Sequence, residues 1–247
     1  MRQSEGFRFK QFYVRHDRCA MKVGTDGVLL GCCAEPAADR EQSALKVLDI
    51  GTGSGLIALM LAQRYTHAEI DAIDIDGEAV AQAGENFRQS PWGERLHAYC
   101  ERVQERQGNR SYDLIVSNPP YFENSLKNPD AQRRTARHTD SLSYEELIFH
   151  SERLLAEGGQ IAVIVPAEAE TDLIALGEKM HLQLARVTRV YSKEGKRCKR
   201  VIMTFCRATP ATGIRCSGGA EAERLVLEDG KGGRSAAYQE MTKDFYL

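Results

Sequence analysis

The run from residue 46 to residue 60 constrains this chain more than any other stretch. Residues 46–50 read as a short buried strand that leads directly into Gly51-Thr52-Gly53-Ser54-Gly55, after which Leu56, Leu59 and Met60 mark the inner face of a helix. Strand, glycine loop and helix in that order form a nucleotide-binding crossover. Absent side chains let the backbone approach a ligand, and the helix amino terminus points at it. The string Asp49-x-Gly51-x-Gly53-x-Gly55 lacks the longer final spacing of the dinucleotide fingerprint, which argues against NAD and towards S-adenosylmethionine. Asp49, Gly51, Thr52, Gly53 and Gly55 are the candidate cofactor cradle.

The strand expected over residues 69–75 carries Asp74, about 25 residues after Asp49, close to where nucleotide-binding crossovers place an acid on ribose hydroxyls. An ionised carboxylate only accepts hydrogen bonds, which suits a vicinal diol. Asp76 is near enough to compete for that role. A helix over 78–87 follows, with Val80, Ala83 and Phe87 on one side, then a third strand over 96–100. Beyond it stands Glu101, where an acid can meet the adenine amine of the cofactor.

A fourth strand, residues 112–117, delivers Asn118-Pro119-Pro120-Tyr121 to the loop at its carboxyl end, where open α/β sheets keep their sites. Two successive prolines fix φ, remove two amide donors and bias Asn118 towards an extended backbone, leaving its side chain and nearby carbonyls as acceptors. A rigid acceptor cluster suits a planar amine such as adenine N6, whose lone pair is delocalised into the ring. The Asn118 side-chain oxygen and the Pro119 carbonyl can take its two hydrogens while Tyr121 offers a stacking face. Asn118, Pro119, Pro120 and Tyr121 are the candidate catalytic residues. An ordinary proline-rich turn is the alternative for the tetrapeptide on its own.

The 247 residues suffice for one principal α/β domain with additions: residues 1–44 as a strand or hairpin with a capping helix, packed on a main domain over 45–247. A net charge of -2 carries no global nucleic-acid signal, so any such surface is local. Seven cysteines without a CxxC pair or a zinc-like spacing read as reduced thiols, and no metal is expected. No run has the roughly 18 apolar residues of a membrane span and the amino terminus lacks a secretory pattern, so the expectation is a cytoplasmic protein with no membrane partner. Oligomeric state is not legible.

In the amino-terminal segment, Phe7, Phe9, Phe12 and Tyr13 alternate with basic residues at strand spacing. A surface that grips RNA and a packed strand with a solvated basic face both explain it. Thr25 or Asp26 is placed to cap a helix over 28–34, Asp26 reading as a plain cap, and this segment, with Thr25, can close over a bound cofactor. After the tetrapeptide, the polar stretch 122–141 carries Arg133, Arg134 and Arg137, placed to clamp nucleic-acid phosphates. Ser143 and Glu146 form a capping-box pattern for a helix that Gly158-Gly159 ends. Strands over 160–165, 183–190 and 200–206 bring the sheet to about seven. The turn between the last two, with Lys196, Arg197, Lys199 and Arg200, belongs to the densest positive charge in the chain, set against Glu194 alone, and reads as an RNA-facing hairpin. A short strand over 225–227 and a helix around 238–245 close the chain.

The combination of DIGTGSG at Asp49–Gly55 with Asn118-Pro119-Pro120-Tyr121 resembles class I S-adenosylmethionine-dependent methyltransferases acting on planar amino groups. FKQFYVRHDRCAMKVGTDGVLLG near the start, QSPWGERL at Gln89–Leu96, ARHTDSLSYEEL and the closing FYL are similar, more narrowly, to the bacterial tRNA(Val) adenine-37 N(6)-methyltransferase family. The resemblance implies a Rossmann-like fold with a mainly parallel sheet of about seven strands and helices on both faces. It also implies S-adenosylmethionine as donor and a tRNA anticodon stem-loop as partner. By motif position, Asp49 and the loop glycines line the cofactor, Asp74 binds its ribose and Asn118–Tyr121 hold the base. Where related enzymes carry an aspartate against the cofactor adenine, this chain has Glu101 followed by Arg102, so the contact falls to Glu101 or to backbone. Rival readings are a protein-glutamine methyltransferase of release-factor type, a ribosomal RNA adenine or guanine methyltransferase, and a non-catalytic RNA-binding module on the same fold.

Overall fold

The computed structural model describes residues 5–37, 44–108, 110–120, 142–207 and 221–247. The chain runs through β1 (Gly6–Arg8), β2 (Tyr13–Arg15), α1 (Thr25–Cys33), β3 (Leu45–Ile50), α2 (Leu56–Arg64), β4 (Ala68–Asp74), α3 (Gly77–Arg88), β5 (Leu96–Cys100) and β6 (Tyr112–Ser117). It continues with α4 (Tyr144–Leu154), β7 (Leu155–Pro166), α5 (Glu170–Lys179), β8 (Leu182–Tyr191), β9 (Arg200–Arg207), β10 (Glu221–Val226) and α6 (Ala236–Thr242).

An eight-stranded sheet in the order β10-β8-β9-β7-β6-β3-β4-β5 forms the centre. Only β9 runs against its neighbours, β7 and β8; the other pairs are parallel. The inner strands read as continuous apolar runs because both faces are covered. Val47 and Leu114 belong to the core on one face, with α1 and α2, while Leu48 and Ile115 belong to the core on the other, with α4. On α2 every residue from Leu56 to Ala62 is buried, and each leucine there contributes about 1.5–3 kcal/mol by leaving water.

The sequence expects about seven strands; the eighth is β10, seen beforehand only as a short strand over 225–227. Its first four residues, Glu221-Ala222-Glu223-Arg224, are mostly polar and carry no strand signature, yet they pair in parallel with Arg186–Arg189 of β8. Backbone hydrogen bonding at a sheet edge tolerates polar side chains that a propensity reading counts against a strand. Helix α4 also ends earlier than Gly158-Gly159 indicates, at Leu154, because Leu155 is already extended and pairs with Tyr112 of β6.

The amino-terminal pair β1 and β2 is an antiparallel hairpin, as alternation predicts. Its aromatic residues are packing residues: Phe9 and Phe12 are buried and stacked at 4.6 Å, and Tyr246 from the carboxyl-terminal segment stacks on Phe9 at 5.9 Å. Cys19, Cys32, Cys33, Cys100 and Cys198 are free thiols. Cys206 is disulfide-bonded, which corrects the expectation that all the cysteines are reduced. Sequence spacing does not display the spatial proximity that a disulfide requires.

The capping box on α4 forms as predicted, with Ser143 Oγ accepting from Glu146 N at 3.2 Å and Glu146 Oε2 accepting from Ser143 N at 2.9 Å. Ser143→Ala leaves an amide without its partner and is expected to lower the unfolding free energy by about 1 kcal/mol, read as a shifted urea midpoint with an unchanged slope.

Candidate functional site

Parallel pairing sends the ends of β3, β4, β5 and β6 to one edge of the sheet. Ile50 and Ser117 are the last register pair between β3 and β6, and Ser117 Oγ donates to the Ile50 carbonyl at 2.9 Å. The next residues are Gly51 and Asn118. The glycine loop and the Asn-Pro-Pro turn therefore leave the sheet side by side. A cavity of about 240 Å³ lies between Gly53, Asp74, Glu101 and Asn118. A second of about 350 Å³ lies between Thr25, Thr52 and Asn118. Met21, Gly51, Gly53 and Asn118 line both, so the two are halves of one crevice.

Gly51 and Gly53 have φ of 72° and 56°, and the space a Cβ would occupy at each is empty to 4 Å, so bare backbone faces the crevice. Gly55 differs. It is off the crevice wall, and a Cβ there would stand 2.4 Å from Phe87 Cε1, so its lack of a side chain serves the packing of α2 on α3.

Asp49 lies beneath the loop, fully buried. Its Oδ2 accepts from Thr52 Oγ1 at 2.7 Å, while Oδ1 has no partner among the described residues. Burial pushes its carboxyl up to about 7, against the opposing hydrogen bond of the Thr52 hydroxyl and the pull of the nearby Ala58 amide; the charge of Asp74 adds to the rise. Asn118 Oδ1 is a second buried acceptor without a partner among the described residues. Pro119 and Pro120 line the crevice, whereas Tyr121 lies outside the described residues.

Asp74 is half-buried, and each of its oxygens accepts one amide: Oδ2 from Gly53 N at 2.9 Å, Oδ1 from Asp76 N at 3.0 Å. The carboxylate is thus braced to the loop and retains lone pairs for a further donor. Asp76 is the amino-terminal cap of α3 through Glu78 N at 2.9 Å. Glu101 is on the crevice wall, with Oε1 bonded to Arg106 Nη1 at 2.5 Å.

Thr25 is exposed on the crevice wall at the start of α1. Neither Thr25 nor Asp26 caps that helix: the cap position is Gly24, without a side-chain bond. Asp26 instead receives Arg200 Nε at 3.0 Å. Arg200 is thus in an ion pair and only partly exposed. Neighbouring cations are paired too, Arg186 with Glu35, Arg189 with Glu170 and Lys193 with Glu228. The acids come from distant parts of the chain, which a local charge count does not register. Lys196, Arg197 and Lys199 are exposed in the turn between β8 and β9, on the same edge as Asn118. Arg133, Arg134 and Arg137 lie outside the described residues.

The sequence reading missed the segment 15–21 as part of the site. Buried Gln82 and Asn86 of α3 hold it: Arg18 N donates to Gln82 Oε1 at 2.8 Å, and Arg15 N to Asn86 Oδ1 at 3.0 Å. Ala20 and Met21 consequently line the crevice. The available signal was two amides one helical turn apart beside an apolar face.

The raised Asp49 carboxyl has a measurable consequence. An unfolded aspartate titrates near about 3.9, so the folded state binds this proton more tightly, and the Asp49 contribution to stability falls as pH rises from about 4 to 7 and is level above that. Comparing unfolding free energies of the ligand-free protein and Asp49→Asn across pH isolates it: the variant gains on the parent through that window. A pH-independent difference excludes the raised carboxyl.

A model of the methyltransferase small domain matches residues 36–194. The chain is 45% identical over 244 residues to a tRNA1(Val) (adenine(37)-N6)-methyltransferase of Bacteroides fragilis (strain YCH46), covering 98% of this chain and 97% of that one. It is 46% identical over 243 residues to the Parabacteroides distasonis protein of the same name, with the same coverage. Among solved structures, a protein from Agrobacterium tumefaciens described as a predicted O-methyltransferase superposes with a TM-score of 0.66 at 17% identity, over 89% of this chain and 96% of that one, a likeness of fold alone. The chain belongs to the tRNA1(Val) (adenine(37)-N6)-methyltransferase family and is built on the methyltransferase small domain.

Proposed function

We propose that this protein transfers a methyl group from S-adenosylmethionine to the exocyclic N6 of adenosine 37, beside the anticodon of tRNA(Val). The observation that carries the reading is the Ile50–Ser117 junction, which opens the glycine loop and Asn118 onto one crevice. The names of the full-length relatives supply the base and the tRNA.

The residues present fit the donor. Bare backbone at Gly51 and Gly53 admits it closely, Asp74 has acceptor capacity for a ribose diol, and Asp49 Oδ1 is a buried acceptor in want of a hydrogen bond beneath the loop. Glu101 takes the adenine amine, and Thr25 and Thr52 close the opposite wall. When bound, S-adenosylmethionine supplies an electrophilic methyl on a sulfonium.

On the acceptor side, Asn118 Oδ1 and the Pro119 carbonyl receive the two amine hydrogens of adenine, drawing the nitrogen towards a pyramidal geometry that frees its lone pair. Tyr121 stacks on the base. The proton leaves to water after transfer, and the rate comes from positioning and from oriented dipoles. A base in an anticodon loop is cheaper to extrude than a paired one. Exposed Lys196, Arg197 and Lys199 stand on the same edge for the phosphates of the stem-loop, with Arg133, Arg134 and Arg137 of the following loop proposed beside them.

Asn118→Ala is expected to lower kcat by about 10²–10³ while binding S-adenosylhomocysteine within about twofold of the parent; near-parental turnover removes Asn118 from the mechanism. Replacing Lys196, Arg197 and Lys199 together by alanine raises KM for tRNA, leaves KM for the donor unchanged and reduces the salt slope of tRNA binding by about 2. An unaltered slope excludes this turn from the RNA surface.

A further inference from the structure

Glu101 follows directly on β5 and stands on the crevice wall. Its main chain is fixed, since Glu101 N donates to the Asp74 carbonyl at 3.1 Å. Its carboxylate is held from behind by Arg106 Nη1 at 2.5 Å, and no partner to the second oxygen, Oε2, is formed among the described residues. Arg106 lies in the connection between β5 and β6 and is only 15% exposed. Its guanidinium is locked on every side. Nε and Nη2 donate to the Tyr112 hydroxyl at 2.9 and 2.7 Å, Nη2 also meets Asp71, and the plane lies over the Tyr99 ring at 4.7 Å. Tyr112 in turn donates to Asp71 Oδ2 at 2.7 Å, and Arg153 Nη2 donates to the Arg106 carbonyl at 2.9 Å. A planar fork held by β4, β5, β6 and α4 thus presents one charged donor to the crevice acid.

We propose that Arg106 is the positioning residue that retracts Glu101 and turns its remaining oxygen towards the adenine amine of the methyl donor, so that Arg106 sets adenine selectivity without touching the ligand. The inference rests on the role given to Glu101 above. The geometry favours it because Arg106 spends one hydrogen bond on a single carboxylate oxygen rather than chelating both. A bidentate fork would saturate the acid; this one leaves it half-satisfied and immobile. Lysine keeps the charge at that position but not the fork, so it does not preserve the arrangement.

The test is binding of S-adenosylhomocysteine and of its deaminated counterpart, S-inosylhomocysteine, by calorimetry, together with steady-state kinetics. In Arg106→Lys, Kd for S-adenosylhomocysteine is expected to rise about tenfold, selectivity over the inosine form to fall by a similar factor, and kcat at saturating donor to stay within about threefold. In a Glu101→Ala background, Arg106→Lys has no further effect. Tyr112→Phe, which loosens the guanidinium but keeps its charge, moves affinity and selectivity the same way by about threefold and serves if the lysine variant does not fold. Parental affinity and selectivity in the Arg106 or Tyr112 variant, with Glu101→Ala weakened, overturns the inference alone. Parental binding by Glu101→Ala overturns the role of Glu101 and this inference with it.

Discussion

The site depends on one junction, the pairing of Ile50 with Ser117 closed by the Ser117 hydroxyl on the Ile50 carbonyl. Both strands are buried on both faces, so neither can slide without unpairing backbone groups that water cannot reach. Their ends are therefore fixed to each other, and the loops that follow inherit that precision. The glycine loop and the Asn-Pro-Pro turn open onto one crevice at a spacing that the sheet sets.

Around that junction, buried polar groups divide into those already satisfied and those in waiting. Gln82 and Asn86 are buried and bonded to the amino-terminal segment, Asn86 also to the Ser54 carbonyl of the glycine loop, and the segment so held brings Met21 to the crevice. Asp49 Oδ1 and Asn118 Oδ1 are buried without partners among the described residues. An unsatisfied acceptor costs about 1–3 kcal/mol, a cost that a folded protein recovers when a ligand brings the missing donors. Of the two groups, the first holds the wall, while in the second Asn118 lines the crevice and Asp49 lies beneath its loop.

The charges follow the same division. Arg200 ties the start of α1 to β9 through Asp26, Arg106 ties Glu101 to the sheet, and Arg186, Arg189 and Lys193 pair with acids from other elements. Once those pairs are removed from the apparent basic cluster, Lys196, Arg197 and Lys199 stand exposed on the edge that carries the crevice. The rim is smaller and more sharply placed than a count of lysines and arginines indicates.

Sequence alone determined the elements that depend on nearest neighbours. The strand and glycine loop at residues 46–55, the capping box at Ser143 and Glu146 and the stiff Asn-Pro-Pro turn are all local, because φ restriction, absent Cβ atoms and i to i+3 hydrogen bonds need no other part of the chain. Tertiary structure decided whatever required a distant partner. It recruited polar β10 to the sheet edge, moved Gly55 from the crevice to helix packing, diverted Asp26 and Arg200 into an ion pair and anchored Arg106 on Asp71 of β4. Those choices are set by contacts across tens to nearly two hundred residues, and periodicity and spacing report only what lies within a few turns of one another.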